Sequence, residues 1–102
     1  LCGDKITLEL IVTKQKIISM KYETESCIYC EASASLLSKK IKKLNIQTIK
    51  NDFIDLKKIL KNKEIRIPKK FTEFKKLFNS DNFNRYNCLF LPFDAVIKAL
   101  KL

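Results

Sequence analysis

Four cysteines carry the reactive chemistry of this 102-residue chain: Cys2, Cys27, Cys30 and Cys88. There is no histidine, which excludes a Cys–His nucleophile pair and any His-ligated metal. Cys2 opens the triplet Cys2-Gly3-Asp4, and Gly3 is the chain's one glycine. A sharp backbone approach at Gly3 would let the Cys2 thiol and the Asp4 carboxylate converge on one point. Cys27 lies between a predicted strand and a predicted helix. A thiolate in the first turn of that helix gains from the helix dipole, which lowers its pKa and favours ligation. Cys88 lies near the start of the last predicted helix. Three thiols and a carboxylate, each at the end of an element, can form a tetrahedral zinc site. Spacing alone leaves this open, because the four groups are far apart in the chain. Two disulfides are the alternative in a secreted domain. Nothing marks the chain as secreted, so reduced thiols or metal ligands are the better default.

Cys27-Ile28-Tyr29-Cys30 is a C-x-x-C pair. A zinc ribbon needs a second such pair, and a thioredoxin-like motif needs a βαβ start; neither is present. Positions three apart share a helix face, so Cys30 could approach the same site. It equally suits a small buried residue, since cysteine packs well in a core.

These groups need elements to hold them. In residues 5–12, KITLELIV, the residues Ile6, Leu8, Leu10 and Val12 alternate with Lys5, Thr7, Glu9 and Ile11. That is the period of a half-buried strand. Residues 16–23 form a second strand, with Ile18, Met20 and Tyr22 on one face. Thr13 to Gln15 can turn, which gives an antiparallel hairpin. From Ile28 to Lys43 the period becomes helical, with Ala32, Leu36, Leu37, Ile41 and Leu44 as the stripe. Ser26 is a candidate cap. A second helix starts at Thr48 or Asn51 and runs to Leu60 on Ile49, Phe53, Leu56, Ile59 and Leu60. A third fits Phe71 to Phe78, whose Phe residues read as core. Residues 79–84 read as a turn. The last helix runs from about Asn84 toward Leu102 on Tyr86, Leu89, Phe93, Ile97 and Leu100. Pro92 must kink it or mark a break. The expected fold class is α+β, a small antiparallel sheet with helices packed on one face.

The length suits a single domain spanning residues 1–102, small enough for a bound metal to matter to stability. The chain opens at Leu1 without a methionine, and the natural protein can extend further upstream. No apolar run approaches a membrane span and no signal-peptide pattern opens the chain; the expectation is a cytoplasmic protein with no membrane partner. The net charge of +10 is uneven. Between Lys39 and Lys76 stand 14 basic and 4 acidic residues, which accounts for the whole excess. Such a segment suggests an acidic partner, nucleic acid or a solvated lysine face. Arg66 and Arg85 are the only arginines, and no basic–aromatic motif appears, so nucleic acid is the weaker reading.

Three blocks together resemble a known family. Cys2-Gly3-Asp4 before an alternating strand, then CIYCEASASLL from Cys27, then RYNCLFLPFDA from Arg85, look like the NifU/IscU/SufU-type iron–sulfur cluster assembly proteins. The blocks occur in order and span nearly the whole chain. Cys2, Cys27 and Cys88 match the family's three cysteines, and Asp4 matches the aspartate that joins them at the metal. Cys30 falls where the family usually has serine, so no role transfers to it. Arg85, three residues before Cys88, resembles the SufU branch. IscU members usually carry histidine directly before the third cysteine, and Asn87 stands there in this chain. The 60 residues between Cys27 and Cys88 are long enough for the inserted segment of that branch. Two departures stand out. Glu23-Thr24-Glu25-Ser26 replaces the glycines usual before the second cysteine, and the helix that normally precedes the first cysteine is absent from this sequence.

The resemblance implies a zinc-bound sulfur acceptor working with a cysteine desulfurase, a sulfur-transfer accessory rather than a stand-alone enzyme. Cys2 would take the persulfide sulfur. Cys2, Asp4, Cys27 and Cys88 would hold Zn²⁺. Arg85 would support docking or balance charge. The alternative is a scaffold on which the same four ligands hold a transient [2Fe–2S] cluster.

Overall fold

The structure is a computed structural model that describes residues 5–25, 28–61, 67, 69–78 and 86–101. Strand β1 (Lys5–Thr13) and strand β2 (Lys16–Glu25) pair antiparallel as a hairpin. Helix α1 (Ile28–Lys40) follows and passes into a 3₁₀ turn at Ile41–Lys43. Helix α2 (Ile46–Lys61), a 3₁₀ segment at Lys69–Phe74 and helix α3 (Tyr86–Ala99) complete the order. Helices α1 and α3 pack on each other and on the hairpin. The α+β class expected from the sequence is the observed one.

The hairpin turns on Lys14 and Gln15, both at positive φ (51° and 66°). Two consecutive left-handed residues make the tight turn whose twist matches the strands, a turn that favours Asn-Gly. Here it is built from a lysine and a glutamine, at a steric cost. The strands carry an irregularity: Ile11 pairs with Ser19, but Val12 pairs with Ile17. Ile18 is the extra residue of a β-bulge, and the phase of β2 changes there. Ile17 is therefore buried and Ile18 is 53% exposed, the reverse of the expected alternation. Met20 and Tyr22, before the bulge is reached from the open end, keep their inward phase. Val12 was expected inside and is 44% exposed, because it lies at the tip beyond the core.

The expected stripe of α1 is buried at Leu37, Ile41 and Leu44 and departs from expectation only in its first turns. Cys30, Ser33, Ala34 and Leu37 are buried, continuing through Ile41 and Leu44, whereas Ala32 and Leu36 are half-buried. Small residues face the crossing with α3, and the bulkier Leu36 sits at its margin. Helix α2 starts earlier than expected, at Ile46, because Asn45 caps it. The Gln47 amide donates to Asn45 Oδ1 at 2.8 Å. The Ile46 amide also donates to the Gln15 carbonyl at 3.2 Å, which fastens α2 to the hairpin turn. Ile59 and Leu60 of the expected α2 stripe have side chains outside the described residues.

The helix expected at Phe71–Phe78 is instead a 3₁₀ segment followed by turns, with Phe71 outside helical geometry (φ −116°, ψ 24°). Its amides reach mainly three residues back: Lys75 to Thr72 at 3.1 Å and Leu77 to Phe74 at 3.0 Å. Packing explains the departure. Phe71, Phe74 and Phe78 must all reach Phe93, with ring centroids 6.2, 5.3 and 6.2 Å from it. Phe53 joins from α2 at 4.8 Å. Edge-on and tilted rings of this kind stabilise a core beyond the area they bury. Pro92 lies inside α3 and is buried, and the helix continues through it.

Replacing Lys14-Gln15 by Asn-Gly relieves the strained turn. We expect a rise in stability of about 1 kcal/mol, read as a higher midpoint of chemical denaturation; an unchanged or lower midpoint contradicts the turn geometry. Asn45→Ala removes the cap of α2 and should cost about 1 kcal/mol in the same measurement.

Candidate functional site

The described candidate ligand is Cys88. It occupies the first turn of α3, which begins at Tyr86, and is 7% exposed. The first-turn amides of a helix have no partner within the helix, and their partial positive charge favours a thiolate there. Tyr86, two residues earlier in the chain, has its ring 5.4 Å from Phe78 and 6.5 Å from Phe90. Burial pushes the Tyr86 hydroxyl above the ordinary tyrosine pKa. Asn87 is exposed.

Cys30 lies in the first turn of α1 and is fully buried. It serves as one of the small residues that let α1 approach α3. Cys2, Asp4, Cys27 and Arg85 lie outside the described residues. The elements next to them are described and fix where the chain enters and leaves. Lys5, which follows Asp4, pairs with Glu25, two residues before Cys27. The chain therefore leads to Asp4 and toward Cys27 from the same open end of the hairpin. Helix α1 starts at Ile28, and Ile28 is 75% exposed. Among the described residues alone, no three His, Cys, Asp or Glu side chains gather as a metal site. The donor set of three thiols and one carboxylate fits zinc or iron by its chemistry.

One residue that joins these elements was missed in the sequence. The Ser33 hydroxyl, fully buried on α1, donates to the Leu89 carbonyl on α3 at 2.6 Å. Leu89 is the neighbour of Cys88. Pro92 has no amide to donate to the Cys88 carbonyl, and its ring crowds that turn of α3. Ser33 donates to the carbonyl of the next residue, Leu89, and so ties α1 to this turn of α3. The signal in the sequence was a serine within an alanine–serine run on a buried helix face. Such a serine needs a partner, because an unsatisfied buried hydroxyl costs free energy.

A second group was also missed. Glu23, Glu25 and Glu31, with Lys5, Thr7, Tyr22 and Thr24, line an open depression at the same end of the hairpin. Two of these carboxylates stand where glycines were expected. β2 continues as a strand through them to Glu25. Lys5 stands among them, paired across the strands with Glu25, so the depression carries three carboxylates and one ammonium group.

The chain matches the family model for the NifU-like N terminal domain over residues 1–77. It belongs to that family. The match contains Cys2, Asp4, Cys27 and Cys30 and stops before Cys88. Among solved structures, the fold resembles that of a nitrogen-fixing NifU-like protein (N-terminal) from Brucella abortus. The TM-score is 0.83 at 19% identity, over 98% of this chain and 70% of that one. This likeness includes α3 and so extends the common fold to the helix that carries Cys88. No curated protein matches this sequence. Among the described residues, no helix is long and apolar enough to cross a membrane.

Ser33→Ala leaves the Leu89 carbonyl without its interhelical donor. We expect a loss of about 1–3 kcal/mol in folding stability, with Ser33→Thr recovering part of it. Equal stability of Ser33→Ala and the native chain would contradict the bond.

Proposed function

We propose that this NifU-like domain accepts sulfur from a cysteine desulfurase and passes it on for iron–sulfur cluster assembly, in the manner of the SufU branch. Family membership supports the role in cluster assembly. The observation that carries the finer reading is the convergence of α1 and α3 beside the open end of the hairpin. It brings the buried Cys88 turn, through Ser33 and Leu89, against the helix that follows Cys27. Arg85 and the long stretch between Cys27 and Cys88, which α2 and the 3₁₀ segment occupy, favour the SufU branch.

Cys2 is the proposed acceptor. Its thiolate attacks the outer sulfur of the desulfurase persulfide. The new S–S bond forms on Cys2, the old S–S bond breaks, and the desulfurase cysteine leaves as a thiolate. The exchange has no net redox change. Cys2, Asp4, Cys27 and Cys88 would hold Zn²⁺. When bound, zinc keeps thiols ionised at neutral pH while dulling the nucleophilicity of those it holds. Cys2 therefore attacks only when it is not a ligand, and docking of the desulfurase is what would release it. Three thiolates and a carboxylate around a divalent ion leave a formal charge of about −2. Arg85 would offset part of it. The exposed Ile28, next to Cys27, offers an apolar contact for the docking partner.

A persulfide-transfer assay with a cysteine desulfurase tests the reading. Transfer should be lost in Cys2→Ala and kept in Cys30→Ala. Full transfer to Cys2→Ala sinks it. Metal analysis beside the assay should find zinc in the native chain and in Cys30→Ala, with strong losses in the Ala variants of Asp4, Cys27 and Cys88. Chelation should lower the thermal midpoint, because metal binding is linked to folding. Iron with charge-transfer absorption after reconstitution, and no tightly held zinc, would favour the [2Fe–2S] scaffold instead.

A further inference from the structure

The bond between Ser33 and Leu89 has a direction as well as a strength. The 60 residues between Cys27 and Cys88 leave no local chain geometry to set the spacing of the two thiols. The packing of α3 on α1 must set it. Cys27 is chained to α1, which begins at the next residue, Ile28. Cys88 is carried by the first turn of α3. The small residues that α1 brings to this crossing are Cys30, Ser33 and Ala34, all fully buried. Short side chains make a smooth face, with few ridges to stop one helix sliding along the other. Apolar contact is also non-directional. A hydrogen bond is not, since it has a preferred distance and angle. The Ser33 hydroxyl donates to the Leu89 carbonyl at 2.6 Å, and this fixes the height of α3 along α1.

The ring contacts hold the Cys88 turn to a different element. Tyr86 and Phe90 set their rings 5.4 and 4.9 Å from that of Phe78, which follows the 3₁₀ segment and is not on α1. The turn is also less stiff than ordinary helix, because Pro92 has no amide for the Cys88 carbonyl. Leu89 follows Cys88 directly, with about 3.8 Å between the two Cα atoms. A displacement of Leu89 therefore carries Cys88 with it. Ser33 in turn stands only about 7.5 Å of helix rise beyond Ile28. One and a half turns of helix, one hydrogen bond and one peptide thus join the residue after Cys27 to Cys88.

We propose that Ser33 is a positioning residue for Cys88: its hydroxyl fixes the height of Cys88 along α1, and with it the thiol spacing that a metal ion at the cysteine end requires. The metal part rests on the sulfur-acceptor reading above; the height of Cys88 does not. Zinc–thiolate bonds are about 2.3 Å long and tolerate departures of roughly 0.2 Å. A smooth apolar crossing does not meet that demand by itself. Ser33 acts through Leu89 rather than as a ligand, in the way that groups behind a metal site orient the ligands in front of them. Size alone does not account for it. Ala34, its neighbour, serves the same crossing with no polar group. A pure spacer at position 33 would avoid the cost of burying a hydroxyl.

The test compares the native chain with Ser33→Ala, Ser33→Cys, Ser33→Thr and Asn45→Ala. Cobalt(II) binding is read from its thiolate absorption and zinc binding by competition. Nuclear Overhauser contacts between residues 30–34 and 88–90 of the metal-free chain read the height of α3. Ser33→Ala should weaken both metals about tenfold and shift those contacts. Ser33→Cys, a weak donor of similar size, should do the same to a smaller degree, and Ser33→Thr, which keeps the hydroxyl, should stay nearest the native chain. Asn45→Ala loses stability at the cap of α2, away from the crossing, and should keep native affinity and native contacts. Native affinity in Ser33→Ala overturns the proposal. So does an equal loss in Asn45→Ala, which would make general loosening the cause. Where Ser33→Ala does not fold, Ser33→Cys decides on the same terms. A native chain that takes neither metal ends the metal part together with the acceptor reading, and the metal-free contacts then decide the rest: contacts unchanged in Ser33→Ala overturn it, and contacts shifted there but not in Asn45→Ala support it.

Discussion

The crossing of α1 and α3 is the constraint on which the rest of the molecule depends. Two helices approach closely only where their facing residues are small. Here that face is Cys30, Ser33 and Ala34 on α1. A buried hydroxyl at such a crossing must find an acceptor, and the Leu89 carbonyl is the one it meets. The bond sets α1 and α3 in one register, and with it the distance from the start of α1 to the turn that carries Cys88. A larger side chain at any of these positions would separate the helices. Cys30 fits this account as a packing residue, small and fully buried on that face.

The aromatic core serves the same crossing from the other side. Phe93 on α3 meets rings from α2 and from the segment around Phe71–Phe78. These rings hold α3 in place along its length, so that its first turn need not be held by the hairpin alone. The segment gives up regular helix to achieve this, since three rings directed at one partner outweigh the few hydrogen bonds that a longer helix would add. Two surface ion pairs tie the same elements at the outside, Lys70 with Asp52 and Lys57 with Asp94. Both lie at the surface, with only Asp52 half-buried, and contribute little beside the core.

Much of this was legible in the sequence, and the parts that were not share a cause. Alternation gave the hairpin because each strand buries one face, and the family blocks marked the candidate ligands. The bulge at Ile18 was invisible because periodicity assumes one residue against one residue. The first turns of the α1 stripe were misplaced because Leu36 weighs more than Cys30 or Ser33 in any apolar count, while the crossing selects for size rather than hydrophobicity; Leu37, Ile41 and Leu44 are buried as expected. The start of α2 was placed late because Ile46 and its Asn45 cap are held by Gln15, a contact distant in sequence. Ser33 was passed over for a related reason. Its acceptor is a backbone carbonyl 56 residues away, and no residue type marks a carbonyl.

The division of charge follows from the same geometry. Helix α1 runs from the cysteine end to the hairpin tip, with Glu31 in its first turn and Lys39 and Lys40 in its last. This arrangement complements the helix dipole, negative side chains at the positive end and the reverse. The hairpin is aligned beside it, so Glu23 and Glu25 add carboxylates at one end, where Lys5 pairs with Glu25, while Lys14 and Lys16 add lysines at the other. A lysine-rich composition by itself would spread its charge over the whole surface. Here the antiparallel course of the strands and the direction of α1 sort it.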